Sequence, residues 1–207
     1  PQGARVYFIE THALPIVDVQ VLFLAGSAFD PADQPGLAAL TASLMDQGAG
    51  ARNEQQVAET LADIGATLSV GAGLDSATLS LRTLSDPDRR QVAFGLMADV
   101  MARPQFDRAI FQRDRARAVA ALKEALTKPQ VLAQRAYMSA IYPDHPYGRL
   151  TTPPTVESIA HGDVTSFWRA HFTPGRASVA IVGDLTRAEA EALANQLLAD
   201  LPADQAD

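Results

Sequence analysis

Four histidines, His12, His145, His161 and His171, are the residues of this chain best suited to hold a metal or move a proton near neutral pH. No two of them stand at metal-ligand spacing, such as the i, i+4 pair that shares one helix face. Cysteine is absent, which excludes disulfides, thiolate catalysis and Cys-ligated zinc or iron. A serine nucleophile needs a positioned base and oxyanion donors, and Ser43 has no partner visible in the sequence. Gly71-Ala72-Gly73 lies in a turn and opens no helix, so it is not a phosphate-binding fingerprint. Arg103, Arg108, Arg113, Arg115 and Arg117 form a basic stretch. Asp107, Asp114 and Glu124 balance it, so a solvated helix face is a simpler reading than an acidic partner.

Composition narrows the classes further. The 207 residues carry 17 basic against 24 acidic side chains, a formal charge of −7. That balance disfavours nucleic acid as a main partner, since phosphate binding wants a basic surface. No apolar run reaches the roughly 20 residues of a membrane span. The start at Pro1, without a methionine or signal-peptide pattern, suggests a trimmed or processed piece.

The elements that would position any site follow from periodicity and caps. Residues 4–10 and 16–24 are strands, the second with Val17, Val19, Val21 and Phe23 on one face. Residues 36–48 form a helix between Gly36 and Gly48, with Leu37, Leu40 and Leu44 inward. Its opposite face, Ala39, Ala42, Ser43 and Asp46, is nearly bare of the charges that a solvated face carries. Asn53 caps a helix to Ile64 with Gln56 at capping-box spacing. Residues 66–70 and 76–84 pair as a hairpin. Asp86 with Pro87 and Asp107 start two more helices, and Pro129 breaks the second. Helical segments follow at 131–142, 155–159 and 164–171. A buried strand comes at 178–182, and Thr186 caps a last helix. This order predicts an α+β fold, an antiparallel or mixed sheet with helices mainly on one face. Residues 1–201 would be a single domain, and the small polar tail 202–207 the start of a linker.

These segments together resemble one homologous half of the M16 (pitrilysin, insulinase or mitochondrial-processing-peptidase-like) zinc peptidases. The resemblance rests on Gly26-Ser27, Pro35-Gly36-Leu37-Ala38, Ile64-Gly65-Ala66 and Asp144-His145-Pro146-Tyr147-Gly148. It continues through residues 167–174 and Val182-Gly183-Asp184-Leu185-Thr186. It implies the LuxS/MPP-like metallohydrolase fold. It also makes the His145 loop structural. Active members carry His-x-x-Glu-His, two histidines gripping zinc and a glutamate activating its water. Laid on this sequence, those positions are Ala39, Ala42 and Ser43. The family's third ligand, a glutamate, falls near Ala121, with Glu124 about a turn away.

The resemblance therefore implies a non-catalytic domain without zinc. It would be the N-terminal half of a partner subunit that completes the peptide chamber of a heteromeric zinc peptidase. Its partners would be a zinc-bearing M16 subunit, a second homologous half beyond residue 207, or both. In peptide-cleaving relatives the substrate adds as a strand at the sheet edge, which here would be Thr67, Leu68, Ser69 and Val70. Two alternatives stand beside this: a purely structural scaffold, and an active zinc endopeptidase with displaced ligands. Split-subunit bacterial relatives suggest the periplasm, with the cytoplasm as the alternative.

Overall fold

The computed structural model describes residues 3–204; residues 205–207, the end of the expected linker, lie outside it. The elements in chain order are β1 (Arg5–Glu10), β2 (Ile16–Phe23), α1 (Leu37–Leu44), β3 (Gly48–Ala49), β4 (Arg52–Asn53) and α2 (Glu54–Ile64). Then come β5 (Thr67–Ala72), β6 (Ala77–Leu84), α3 (Pro87–Ala102), α4 (Arg108–Ala125) and α5 (Pro129–Ile141). The chain continues through α6 (Pro153–Ser158), α7 (His161–His171), β7 (Ala177–Gly183) and α8 (Arg187–Leu198).

Five strands form one mixed sheet in the order β1-β7-β2-β6-β5. Only β1 and β7 run parallel. The fold is thus α+β with a mixed sheet, as the element order predicts. Alternation fixes its two faces. Val17, Val19, Val21, Phe23, Leu79, Leu81, Val179 and Ile181 are buried on one face, under α1, α3 and α8. The other face carries Asp18, Gln20, Ser80 and Arg82 and stays more open, with Arg82 gripping Asp18 at 2.7 and 2.9 Å. Gly183, at φ 148°, ends β7 where Ile16 O would lie 2.3 Å from a Cβ, so no side chain fits there.

Local caps behave as the spacing predicts. Asn53 and Gln56 close a reciprocal capping box, and Asp86 and Asp107 accept backbone N–H groups at the starts of α3 and α4. Thr186 and Glu189 form another box on α8. The Thr186 N–H, its hydroxyl and Arg90 together hold the Glu189 carboxyl down to about 2.

Helix α1 differs from its prediction. It spans only Leu37–Leu44, with Gly36 as a left-handed N-cap and Met45 as C-cap. Gly48 belongs instead to β3, which hairpins with β4 and pairs onward to the stretch after α3. Gly36 brings no side chain to cap the helix. The cap comes from upstream: Asp30, 3% exposed, accepts from Gly36 N and Ala38 N at 2.7 Å each. Burial pushes the Asp30 carboxyl up, and these two N–H groups oppose the shift.

Helix α5 is unlike the other long helices: none of its 13 residues is buried. Val131, Arg135 and Met138 turn inward, Arg135 donating to Thr151 O. Leu132, Tyr137 and Ile141 are exposed, Leu132 on one flank and Tyr137 and Ile141 on the other.

A polar latch joins the strand ends. His12 Nδ1 lies 2.6 Å from Asp184 Oδ1, its Nε2 3.1 Å from Glu10, and Ser85 Oγ donates to Asp184 Oδ2 at 2.6 Å. The carboxylates of Asp184 and Glu10 raise the His12 pKa above 6.5. Ser85 and His12 lower that of Asp184 below 3.8. The histidine's contribution is complete below pH 6.5 and fades as pH rises through its folded-state value. The aspartate's contribution is complete above pH 3.8 and fades as pH falls through its lowered value.

Two outcomes are expected. Asp30→Ala lowers stability by about 2 kcal/mol in urea unfolding, because two buried helix N–H groups lose their acceptor. An unchanged midpoint would show that water or another acceptor takes over. His12→Gln removes the fall in thermal stability that the native chain shows as pH rises above 6.5, measured as melting temperature against pH.

Candidate functional site

Three elements surround the positions that the family resemblance selects. Helix α1 packs against β5, α4 and α7, so three of its sides are covered. Ala39 and Ser43, one turn apart, remain exposed. Ala42 does not share that strip: it is 1% exposed and faces the interior. Asp46 is also off the bare face, half-buried beyond the helix end, where burial pushes its carboxyl up. The uncharged outer face is therefore narrower than the helical wheel implies, because the wheel does not know how many neighbours a helix has.

The edge strand β5 lies beside this helix and, among the described residues, pairs only with β6. Gly73 N donates to Ser76 O at 2.8 Å, in the same register as the β5–β6 ladder. By alternation, Thr67, Ser69 and Gly71 turn their main-chain groups towards β6. Leu68, Val70 and Ala72 turn theirs to the open edge. Of the four predicted edge residues, Leu68 and Val70 thus present free main-chain groups, and Ala72 joins them. Gly26 supports this hairpin, since a Cβ there would lie 2.3 Å from Leu74 O. The adjacent Ser27 and Ala28 N–H groups bond Gly73 O and Leu74 O.

Zinc is the metal the family resemblance implies, and the residues present do not fit it. Ala39 and Ala42 carry no donor. The Ser43 hydroxyl is engaged with Leu40 O at 2.9 Å. On α4, Ala121 is exposed, and no residue from Arg115 to Lys123 is a carboxylate. Glu124 is an exposed partner of Lys128 at 3.1 Å. Among the described residues, no group of three His, Asp or Glu side chains is arranged to hold a metal.

The histidines are dispersed. His145 packs edge-on against Tyr147 and at a tilt against Tyr142 near the β5–β6 turn, where the Tyr147 hydroxyl bonds Asp75. His161 bonds Phe106 O. His171 sits between Phe29 and Phe167, its pKa lowered by burial and by Arg176. The arginine stretch is structural where its partners are seen. Arg103 pairs with Asp99. Arg115 donates to Glu157 O and Ile159 O and stacks on Phe111. Arg113 grips Glu54 at 2.8 and 3.0 Å and also reaches Gln47 and Asp114, fastening α4 to α2 and to the end of α1. The sequence holds no local signal for that tie, because its partners lie 59 and 66 residues away.

Comparison with known proteins agrees with this architecture. The family description "Insulinase (Peptidase family M16)" matches residues 5–155, and "Peptidase M16 inactive domain" matches residues 158–207. The chain belongs to the M16 peptidase family. It is 20% identical over 196 residues to an uncharacterized zinc protease of Rickettsia felis, covering 92% of this chain and 47% of that protein. The crystal structure of a Pseudomonas fluorescens peptidase M16 inactive domain superposes with a TM-score of 0.94 at 32% identity. That match covers 99% of this chain and 50% of the other. The Escherichia coli periplasmic protease PqqL shares the fold, with a TM-score of 0.84 at 16% identity over 100% of this chain and 24% of its own. The chain thus spans about half the length of the Rickettsia and Pseudomonas relatives.

The donor set makes a direct prediction. Dialysed protein holds far less than one equivalent of zinc by atomic emission, and added zinc leaves its melting temperature unchanged. One tightly held equivalent would mean that ligands outside α1 and α4 have replaced the family's set.

Proposed function

We propose that this chain is a non-catalytic M16 domain that contributes a peptide-binding wall to a chamber whose zinc is carried by a relative. One observation carries the reading. The open edge of β5 runs beside a helix whose exposed positions, Ala39 and Ser43, are small and bear no charge. The edge offers a peptide main-chain hydrogen bonds at Leu68, Val70 and Ala72, with little demand on its sequence. The small side chains leave room beside it and supply no water-activating group.

On this reading the catalytic partner is a His-x-x-Glu-His subunit. Residues up to Leu201 form one M16-like unit, and the residues after it begin a connection to a second half. Asp204 stays close, accepting from Gly175 N at 3.0 Å. The compartment on the same reading is the periplasm, the one named for the Escherichia coli protease of this fold. A scaffold role without peptide contact is the second reading, favoured by the exposed apolar side chains of α5, Leu132, Tyr137 and Ile141.

Mixing the protein with the zinc-bearing relative encoded nearest to it tests the proposal. Peptide cleavage by the mixture should exceed that of the relative alone. The Val70→Pro variant, lacking one edge donor, should raise KM several-fold while kcat is kept. A mixture that cleaves no faster than the relative removes the chamber reading. A stimulated mixture indifferent to Val70→Pro leaves a scaffold.

A further inference from the structure

Among the described residues, the other end of the sheet carries a second open edge, and it is chemically unlike β5. Thr11 N donates to Gly183 O at 3.0 Å, which fixes the phase of the parallel β1–β7 ladder. Arg5, Tyr7 and Ile9 turn their main-chain groups towards β7. Val6, Phe8 and Glu10 turn theirs outward. Natural sheets guard such edges with lysine, proline, bulges or short strands. Strand β1, six residues of Arg-Val-Tyr-Phe-Ile-Glu, has no proline or lysine, and its register with β7 runs without a bulge. Tyr7 and Ile9 are 58% and 62% exposed on the open face.

On the helix-bearing face the edge opens into a groove of about 430 Å³. Val6 and Phe8 line it from β1, and Ala190 and Ala194 from α8. The small alanines leave space beneath the helix. Arg187 and Glu191 stand at the groove as well, one helical turn apart, both exposed and loosely paired with each other at 3.7 Å, so a facing copy can exchange that pairing for one across the axis.

We propose that β1 is a homophilic edge, through which two copies of this chain pair antiparallel about a two-fold axis and continue the sheet from one copy into the other. The strand that the groove needs is β1 itself. It must present main-chain groups at alternate residues and send apolar side chains from those same residues towards α8. Val6 and Phe8 do both. An antiparallel pair keeps its faces matched when even-numbered residues lie opposite even-numbered ones. Val6 and Phe8 of each copy then share the groove side, and Tyr7 and Ile9 of each copy share the open side. The two-fold operation also reverses the order of Arg187 and Glu191, so each faces the opposite charge across the axis. This contact lies at the end of the sheet away from β5 and leaves the proposed peptide edge free.

Sedimentation equilibrium of the 207-residue chain at micromolar concentration tests this. The native chain should be a dimer. Tyr7→Lys with Ile9→Lys changes only exposed side chains and sets four lysines across the shared edge, so dimerisation should weaken by more than about tenfold with the circular dichroism unchanged. Arg187→Glu or Glu191→Arg alone should weaken the dimer, and the double exchange should restore it. A monomeric native chain overturns the proposal, as does a dimer that the two lysines leave equally tight. Failure of the double exchange to restore pairing overturns the two-fold arrangement.

Discussion

The last strand in sequence closes the first two. Strand β7 lies between β1 and β2, parallel to one and antiparallel to the other, so the N-terminal strands are joined only through a segment more than 150 residues downstream. Every other feature depends on that insertion. The buried rows of β2 and β6 gain Val179 and Ile181 as neighbours, and α8 gains a sheet to cover. The His12 latch exists because β7 delivers Asp184 to the turn after β1. Such long-range pairing is costly in chain entropy and makes folding slow for a chain of this size.

Much of the fold was legible in the sequence, and the legible part is local. Asn53 with Gln56, Asp86 with Pro87, and Thr186 each declare a helix start within four residues. The β5–β6 hairpin declares itself through two strand-like runs around a short turn. The less legible part is non-local. The run at 178–182 reads as a buried strand, but nothing near it says that it enters between β1 and β2. Asp30 caps α1 from six and eight residues upstream, a spacing that no capping box uses. The β3–β4 hairpin is two residues a strand, too short for any periodicity.

The candidate site shows the same division. Ala39 and Ala42 could be singled out only through the resemblance to active relatives, since an alanine by itself carries no functional mark. Physical pattern placed Ala42 outward, and tertiary packing turned it inward. On the proposed reading the usable parts of the site are main-chain groups at Leu68, Val70 and Ala72. Main-chain chemistry is common to all residues, so a single sequence shows it only after strand register is known. On the proposed reading, the small uncharged Ala39 and Ser43 of α1 and the open β5 edge would together hold a peptide.

Helix α5 has a consequence for the way the molecule moves. Its stability draws on few core contacts: no side chain is buried, and one of its inward ties is a single arginine to a carbonyl. Isolated helices of about 13 residues are marginal in water. This segment can therefore unwind and rewind while the sheet and α3 remain intact, a sub-global opening far below the cost of unfolding the whole. The segment that leads to the Tyr142–His145–Tyr147 cluster is thus loosely coupled to the core, and anything that seats on its exposed residues would act first by ordering it.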